Sequence, residues 1–173
     1  AIQNVGQVRI RGFEGDVSWR PFDHWRLVAR GDFLDAKFTE INSTSTAYLP
    51  GDRIDLVPRY QFTLSAENDM TWFGKNVVSR IDYSQQGPET YRNRTSGDFY
   101  HDESNTIDML GSNTRLKWND NLSFAVFARN LLDDQGFTNP YAILGNGVRS
   151  RPRTFGVELP TAFACCGHCF AGT

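Results

Sequence analysis

The residues best equipped for chemistry stand at the end of the chain, where Ala164 to Thr173 read ACCGHCFAGT and hold all three cysteines and one of the three histidines. Two chemistries suit such a string. Cys166-Gly-His-Cys169 is a C-x-x-C dithiol, which becomes redox-active when a helix N-terminus in a βαβ setting stabilises one thiolate. Cys165, Cys166, His168 and Cys169 are also four nominal zinc ligands. Neither setting is present. No βαβ pattern precedes the string, and only four residues follow Cys169. Adjacent cysteines with a one-residue gap to His168 depart from the usual C-x₂₋₄-C ligand spacing. Residues 164–173 are therefore expected to be an unstructured cysteine-containing tail, and no metal is assigned to it.

A second group lies in the stretch SGDFYHDES, where Asp98, His101, Asp102 and Glu103 mix ligands suited to a cation. A solvated acidic loop is the preferred account, since such clusters are common on surfaces. Around it stand Tyr91, Arg92, Arg94 and Tyr100, with Tyr48 and Tyr141 elsewhere. Guanidinium forks and aromatic faces suit an anionic, aromatic ligand such as a metal chelate. Tyr48, Tyr91, Arg92, Arg94, Tyr100, His101 and Tyr141 are accordingly the candidate ligand-binding residues; belt or loop packing is the preferred account, since tyrosines favour that interface. No Gly-x-Ser-x-Gly, His-Glu-x-x-His or phosphate-cradling glycine loop occurs. No enzyme activity and no cofactor are expected.

The elements that would position these groups are strands. Seven segments alternate with period two, while helical periodicity is poor. Phe13, Val17 and Trp19 oppose Glu14, Asp16 and Arg20. Trp25, Leu27, Ala29 and Phe33 oppose Arg26, Arg30 and Asp32; Tyr60, Phe62 and Leu64 oppose Gln61, Thr63 and Ser65. Val77, Ile81 and Tyr83 oppose Arg80 and Asp82, and Leu116 and Trp118 oppose Arg115 and Lys117. Phe124 and Val126 oppose Ser123 and Arg129; Phe155, Val157, Leu159 and Phe163 oppose Gly156 and Glu158. No charge falls on the apolar side of these windows. Hydrocarbon enforces that pattern, because a Lys or Arg facing lipid at mid-membrane costs about 2–4 kcal/mol. The inward charges Arg26, Arg30, Asp32, Arg80, Asp82, Arg115 and Arg129 are expected to pair across strands facing a polar lumen rather than to line a substrate path.

A formal charge of −2 lacks the basic footprint of a nucleic-acid binder. No apolar run is long enough for a transmembrane helix. Connections alternate short and long: Pro21 to His24, Asn68 to Lys75 and Asn119 to Asn121 are short, whereas Lys37 to Leu56, Gln86 to Asn105 and Asp133 to Ser150 are long. Short turns on one rim and long loops on the other are the outer-membrane barrel arrangement. Trp19, Trp25, Trp72 and Trp118 lie beside the short turns, and the six tyrosines lie toward the long loops. They are read as two interfacial girdles. The expected fold is all-β, an antiparallel up-and-down meander of about seven long strands forming the C-terminal segment of a transmembrane β-barrel. Two alternatives stay open: a small porin-like barrel, with residues before Phe13 supplying an eighth strand, and a soluble β-sandwich ligand-binding module.

Several strings within these segments carry a resemblance. RIRGFEGDVSWRP from Arg9, GDRIDLVPRYQFTLSAE from Gly51, NLLDDQG from Asn130 and RPRTFGVELPTAF from Arg151 resemble the last strands of TonB-dependent outer-membrane receptors. The resemblance implies a barrel of about 22 strands around an N-terminal plug, importing scarce ligands such as ferric siderophores with energy from TonB. It implies that residues 1–163 are the final strands of that barrel and that the chain is a fragment without the plug. The implied partners are the bilayer, the TonB complex through the absent plug, the barrel-assembly machinery and a metal chelate. Phe163 matches the terminal aromatic of the assembly signal. Pro160 within the last segment, and ten residues beyond Phe163, depart from the family pattern.

Overall fold

A computed structural model describes residues 6–42, 48–95, 98–139 and 148–159. Seven strands form one antiparallel sheet: β1 (Gly6–Trp19), β2 (Trp25–Ile41), β3 (Tyr60–Trp72), β4 (Lys75–Gln86), β7 (Ile107–Lys117), β8 (Ser123–Arg129) and β11 (Thr154–Glu158). Their order is β1-β2-β3-β4-β7-β8-β11, so each pairs with its neighbour along the meander. The long connections contain two ribbons absent from the sequence expectation: β5 (Thr90–Thr95) with β6 (Asp98–Glu103), and β9 (Phe137–Asn139) with β10 (Val148–Arg149). Short apolar-poor strands of this kind leave no period-two signal, which is why they read as loop.

Register fixes which side chains share a face. Val17 lies opposite Ala29, Ala29 opposite Leu64, Leu64 opposite Tyr83 and Tyr83 opposite Leu110. The apolar residues of all seven windows thus fall on one continuous face, and the charged ones on the other. The apolar face is not packed as a soluble core: Phe13 is 74% exposed and Phe155 67%. Among the described residues no large side chain is fully buried. The remaining sheets are two-stranded, so the sandwich alternative is replaced by a single-layer wall. The eighth-strand alternative also fails for the described residues, since 6–12 continue β1.

Three short turns close one rim. Between β3 and β4, Phe73 (φ 48°) and Gly74 (φ 70°) make a two-residue hairpin of the left-handed type whose twist matches the flanking strands. Asn119 closes the β7–β8 turn by accepting the backbone N–H groups of Asn121 and Leu122 at 2.9 and 2.8 Å. All four tryptophans stand at this rim on the apolar parity, and all are more than 40% exposed. Lys75 shares that parity at the strand end and places its ammonium 5.2 Å from the Trp118 ring centre.

β1 and β2 run on past the long-loop rim, and there the faces exchange character. Above Phe13 and Phe33 the apolar parity carries Arg9, Arg11, Asp35 and Lys37, while Val8, Ile10, Leu34, Ala36 and Phe38 lie on the formerly polar side. Ala36 and Phe38 are buried. The change falls at Gly12, where a Cβ would sit 2.2 Å from the carbonyl oxygen of Phe33. Only glycine permits β1 to approach β2 that closely.

Candidate functional site

The polar face of the sheet gathers its charges around Arg80. Its Nε donates to both oxygens of Asp82 at 2.8 and 2.9 Å, and its Nη2 reaches Ser65 Oγ at 3.3 Å. Ser65 Oγ in turn donates to Asp82, and Glu67 stands 3.9 Å from Arg80 Nη1. β3 and β4 place these groups by register, with Ser65 opposite Asp82 and Glu67 opposite Arg80. Arg26, Arg30, Thr63 and Val28 complete the lining of a cavity of about 160 Å³. Arg26 donates from Nε to Ser18 Oγ at 3.3 Å. Arg30 makes no hydrogen bond or ion pair among the described residues, although register sets it opposite Asp16. Across strands Arg80 reaches Glu67 at 3.9 Å, while its closer partner Asp82 lies on the same strand and Arg30 makes no ion pair among the described residues. Farther along, the Arg129 guanidinium lies 4.7 Å from the centre of the Phe127 ring, which covers Gly156.

Five of the candidate ligand-binding residues, Tyr91, Arg92, Arg94, Tyr100 and His101, share the β5–β6 ribbon. Tyr48 is buried against Phe38, ring centres 4.5 Å apart, and donates its hydroxyl to Asp55 at 2.9 Å. That is loop packing. Tyr91 is half-buried at the base of the β5–β6 ribbon. Register sets Tyr91 opposite Asp102, Arg92 opposite His101, Asn93 opposite Tyr100 and Arg94 opposite Phe99. Arg92 and His101 thus occupy one register pair, with Tyr100 on the next. Asp98, His101, Asp102 and Glu103 all lie on β6, Asp98 and Asp102 on one parity and His101 and Glu103 on the other. Tyr141, Phe163 and the cysteine string lie outside the described residues.

The ribbon is anchored at its base by groups that sequence reasoning did not single out. Arg59 pairs with Glu103, and the Glu89 N–H donates to Ser104 Oγ at 2.9 Å. Glu89 is buried, and burial holds its carboxyl above the usual carboxylate range. Nothing local in the sequence marks Glu89, because its burial comes from segments 15 residues away.

The NLLDDQG string forms the third feature. Asn130 (φ 49°) donates through Nδ2 to the carbonyls of Asp134 at 2.9 Å and Arg151 at 2.7 Å, and accepts the Asp134 N–H at 3.1 Å. Asp134 accepts the N–H of Asp108 at 2.7 Å, and Asp133 that of Arg153 at 3.0 Å. β7, β8 and the run into β11 are tied together at the long-loop rim. This explains why the Asn-Leu-Leu-Asp and Arg-Pro-Arg strings occur together.

Residues 1–131 match the family described as TonB dependent receptor-like, beta-barrel. No curated protein matches the chain. Among solved structures it is similar to the ferric yersiniabactin uptake receptor FyuA from Yersinia pestis, with 22% identity, TM-score 0.76, 93% of this chain and 24% of that one. It is also similar to the siderophore receptor PiuA from Acinetobacter baumannii, with 18% identity, TM-score 0.69, 91% of this chain and 22% of that one. The ferripyoverdine receptor of the outer membrane of Pseudomonas aeruginosa matches at 15% identity and TM-score 0.69, over 89% of this chain and 19% of that one. The chain thus spans 19–24% of these receptors' length. With its two-faced seven-stranded wall and the family match over residues 1–131, the chain belongs to the TonB-dependent receptor β-barrel family, of the Gram-negative outer membrane.

Proposed function

We propose that the complete protein is an importer of a ferric siderophore or similar metal chelate, energised through TonB, and that this chain contributes wall strands and outer loops. The observation that carries the reading is the wall itself: one face free of charge between the rims, the other charged, with every long loop at the same rim. Lipid covers the apolar face, and Trp19, Trp25, Trp72 and Trp118 form its inner girdle. Residues 1–163 act as barrel and 164–173 as tail; Phe163 serves the barrel-assembly machinery. The ligand class is supported by the names of the similar solved structures, a siderophore receptor and a ferric yersiniabactin uptake receptor among them. Tyr91, Arg92, Arg94, Tyr100 and His101 on the β5–β6 ribbon, with Tyr141, contact the ligand at the outer mouth, while Tyr48 holds its loop in place.

The test is uptake of radiolabelled iron by an iron-starved Gram-negative host carrying the complete receptor, offered a panel of ferric siderophores. Saturable uptake of one chelate, abolished when the host lacks TonB and reduced when residues 90–103 are deleted, is the expected result. Uptake that is unsaturable and independent of TonB would favour a passive porin-like barrel instead.

A further inference from the structure

Between the rims, the outward face of β3, β4 and β7 carries a polar patch. Register aligns Asn68, Ser79 and Thr114 in one outward row and sets Ser112 one step farther along the same face, opposite Ile81. Thr114 donates its hydroxyl to Ser79 Oγ at 3.1 Å. The Ser112 hydroxyl makes no hydrogen bond among the described residues. Asn68 is 7% exposed, and its Nδ2 donates to the His24 carbonyl at 3.3 Å. Its Oδ1 is buried with no hydrogen-bond partner among the described residues. Short side chains surround the row, with Ala66 opposite Ile81 and Ala128 opposite Ser112. On the β2–β3 side, Trp19, Leu27, Ala29, Leu64, Ala66 and Ile81 are among the residues lining an open groove of about 470 Å³. On the β8 side Val126, opposite Thr114, stands out with 54% of its surface exposed.

Acyl chains offer these groups nothing to bond, so a hydroxyl or amide oxygen on this face is met only by another protein group. A hydroxyl both donates and accepts. A row of hydroxyls is therefore its own complement, and the same row on a second copy, turned about a two-fold axis, supplies the missing partners. The unmet acceptor of Asn68 borders that row. Shape agrees with the chemistry. With the axis at the β4–β7 boundary, the groove on one side of it receives the raised Val126 of the other copy. Lipid tails are as apolar as Leu or Val, so association in the membrane relies on close packing of small residues and on hydrogen bonds between chains. Ala66, Ser79, Ser112, Thr114 and Ala128 supply both.

We propose that the outward face of β3, β4 and β7 binds a second copy of this chain within the membrane, about a two-fold axis passing between Ser79 and Thr114. This rests on the wall spanning the membrane but not on what the receptor imports. Its test places single cysteines in the complete receptor, in outer membranes, with Cys165, Cys166 and Cys169 replaced by serine, and adds a membrane-permeant oxidant. Heat-modifiable migration reports the folded barrel. Ser112→Cys, beside the axis, should give a band of twice the receptor's mass that mass spectrometry identifies as two copies. Val17→Cys, at the far edge of the groove and three strand spacings or about 14 Å from Ser79, should give none, because displacement from a two-fold axis is doubled between the copies. Adding S79A/T114V to Ser112→Cys should lower the linked fraction about tenfold, from the usual contribution of two hydrogen bonds between membrane chains. Equal linkage at Ser112 and Val17, linkage to a different protein, or a linked fraction unchanged by S79A/T114V overturns the proposal. So does the absence of linkage at Ser112 in folded barrels. If the cysteine variants do not assemble, native mass spectrometry of the unaltered receptor released in lipid particles decides: two copies uphold the proposal and one copy overturns it. A receptor that never gives a heat-modifiable band contradicts the barrel reading itself and not this interface.

Discussion

The lower and upper parts of the β1–β2 pair share one ladder and opposite polarity. From Val17 to Phe13 the outward parity is apolar and the inward parity carries Glu14, Asp16, Arg30 and Asp32. From Arg11 to Arg9 the outward parity is charged, and the inward parity supplies Ile10, Ala36 and Phe38, the last under the Tyr48 ring. No bulge intervenes, since the recorded register shift lies between Gln7 and Val8. The backbone has not changed; what each face meets has. In the lower part the outward face meets lipid and the inward face meets a polar lumen. In the upper part water lies outside and the returning loop 48–59 packs inside. The solvent decides which parity is apolar, and the level at which it inverts marks the outer edge of the hydrocarbon.

Breaking the lower part should cost most. Leu64 faces outward midway along β3, opposite Ala29 and Tyr83. Leu64→Arg in the complete receptor should lose about 2–4 kcal/mol and most of the heat-modifiable barrel in outer-membrane fractions. Arg9→Val, on the same parity above the inversion, should leave barrel yield within a few tens of per cent, since surface changes are usually within about 0.5 kcal/mol. Equal losses for both would erase the distinction between the two parts.

Next in size is Asn130→Ala. It removes three hydrogen bonds at a left-handed position that asparagine tolerates better than alanine. A loss of about 2 kcal/mol in urea unfolding from detergent is expected. Asn130→Gly, which relieves the backbone and still lacks the bonds, should recover only part of it.

Tyr48→Phe tests the packing of the upper part. Loss of the hydroxyl bond to Asp55 should cost about 1 kcal/mol locally, seen as faster amide exchange in residues 48–55 with barrel yield unchanged. A strong loss of siderophore binding with unaltered exchange would return Tyr48 to the ligand site.

The smallest effect is a pH dependence at the base of the β5–β6 ribbon. Burial raises the Glu89 carboxyl in the folded state. The folded form is then favoured below the unfolded pKa, and that support is lost as pH rises through the folded pKa. Protection of the Glu89 and Ser104 amides, whose N–H groups are held across the ribbon base, should rise on acidification from neutral pH once the intrinsic base-catalysed exchange rate is divided out. Glu89→Gln should abolish the pH dependence; an undiminished one would place its origin elsewhere.

The sequence reading reached the seven strands because each presents at least four alternating positions between turn residues, and it found the Trp rim because the short turns are locally encoded. It stopped β1 at Phe13 and β2 at Leu34, since a search for fixed parity ends where parity inverts. The ribbons β5–β6 and β9–β10 lack an apolar face to announce them. Arg80 and Asp82 were legible as inward charges from parity, but their pairing within one strand was not. The particular contacts of Tyr48 were not legible, because its partner Asp55 and its ring contact Phe38 meet only through the fold of the returning loop. The roles of Arg59, Glu89 and Asp134 depend in the same way on contacts between segments distant in sequence.

The most direct test of the two-part wall is a spin-label scan of β2 from Trp25 to Ile41 in the complete receptor, in outer membranes, with Cys165, Cys166 and Cys169 replaced by serine. Relaxation by oxygen reports lipid, and relaxation by a water-soluble nickel complex reports water. Labels at Leu27, Ala29, Gly31 and Phe33 should favour oxygen, and those at Asp35 and Lys37 should favour nickel despite sharing their parity. An odd-numbered series that favours oxygen up to Lys37, or nickel throughout, would contradict the account.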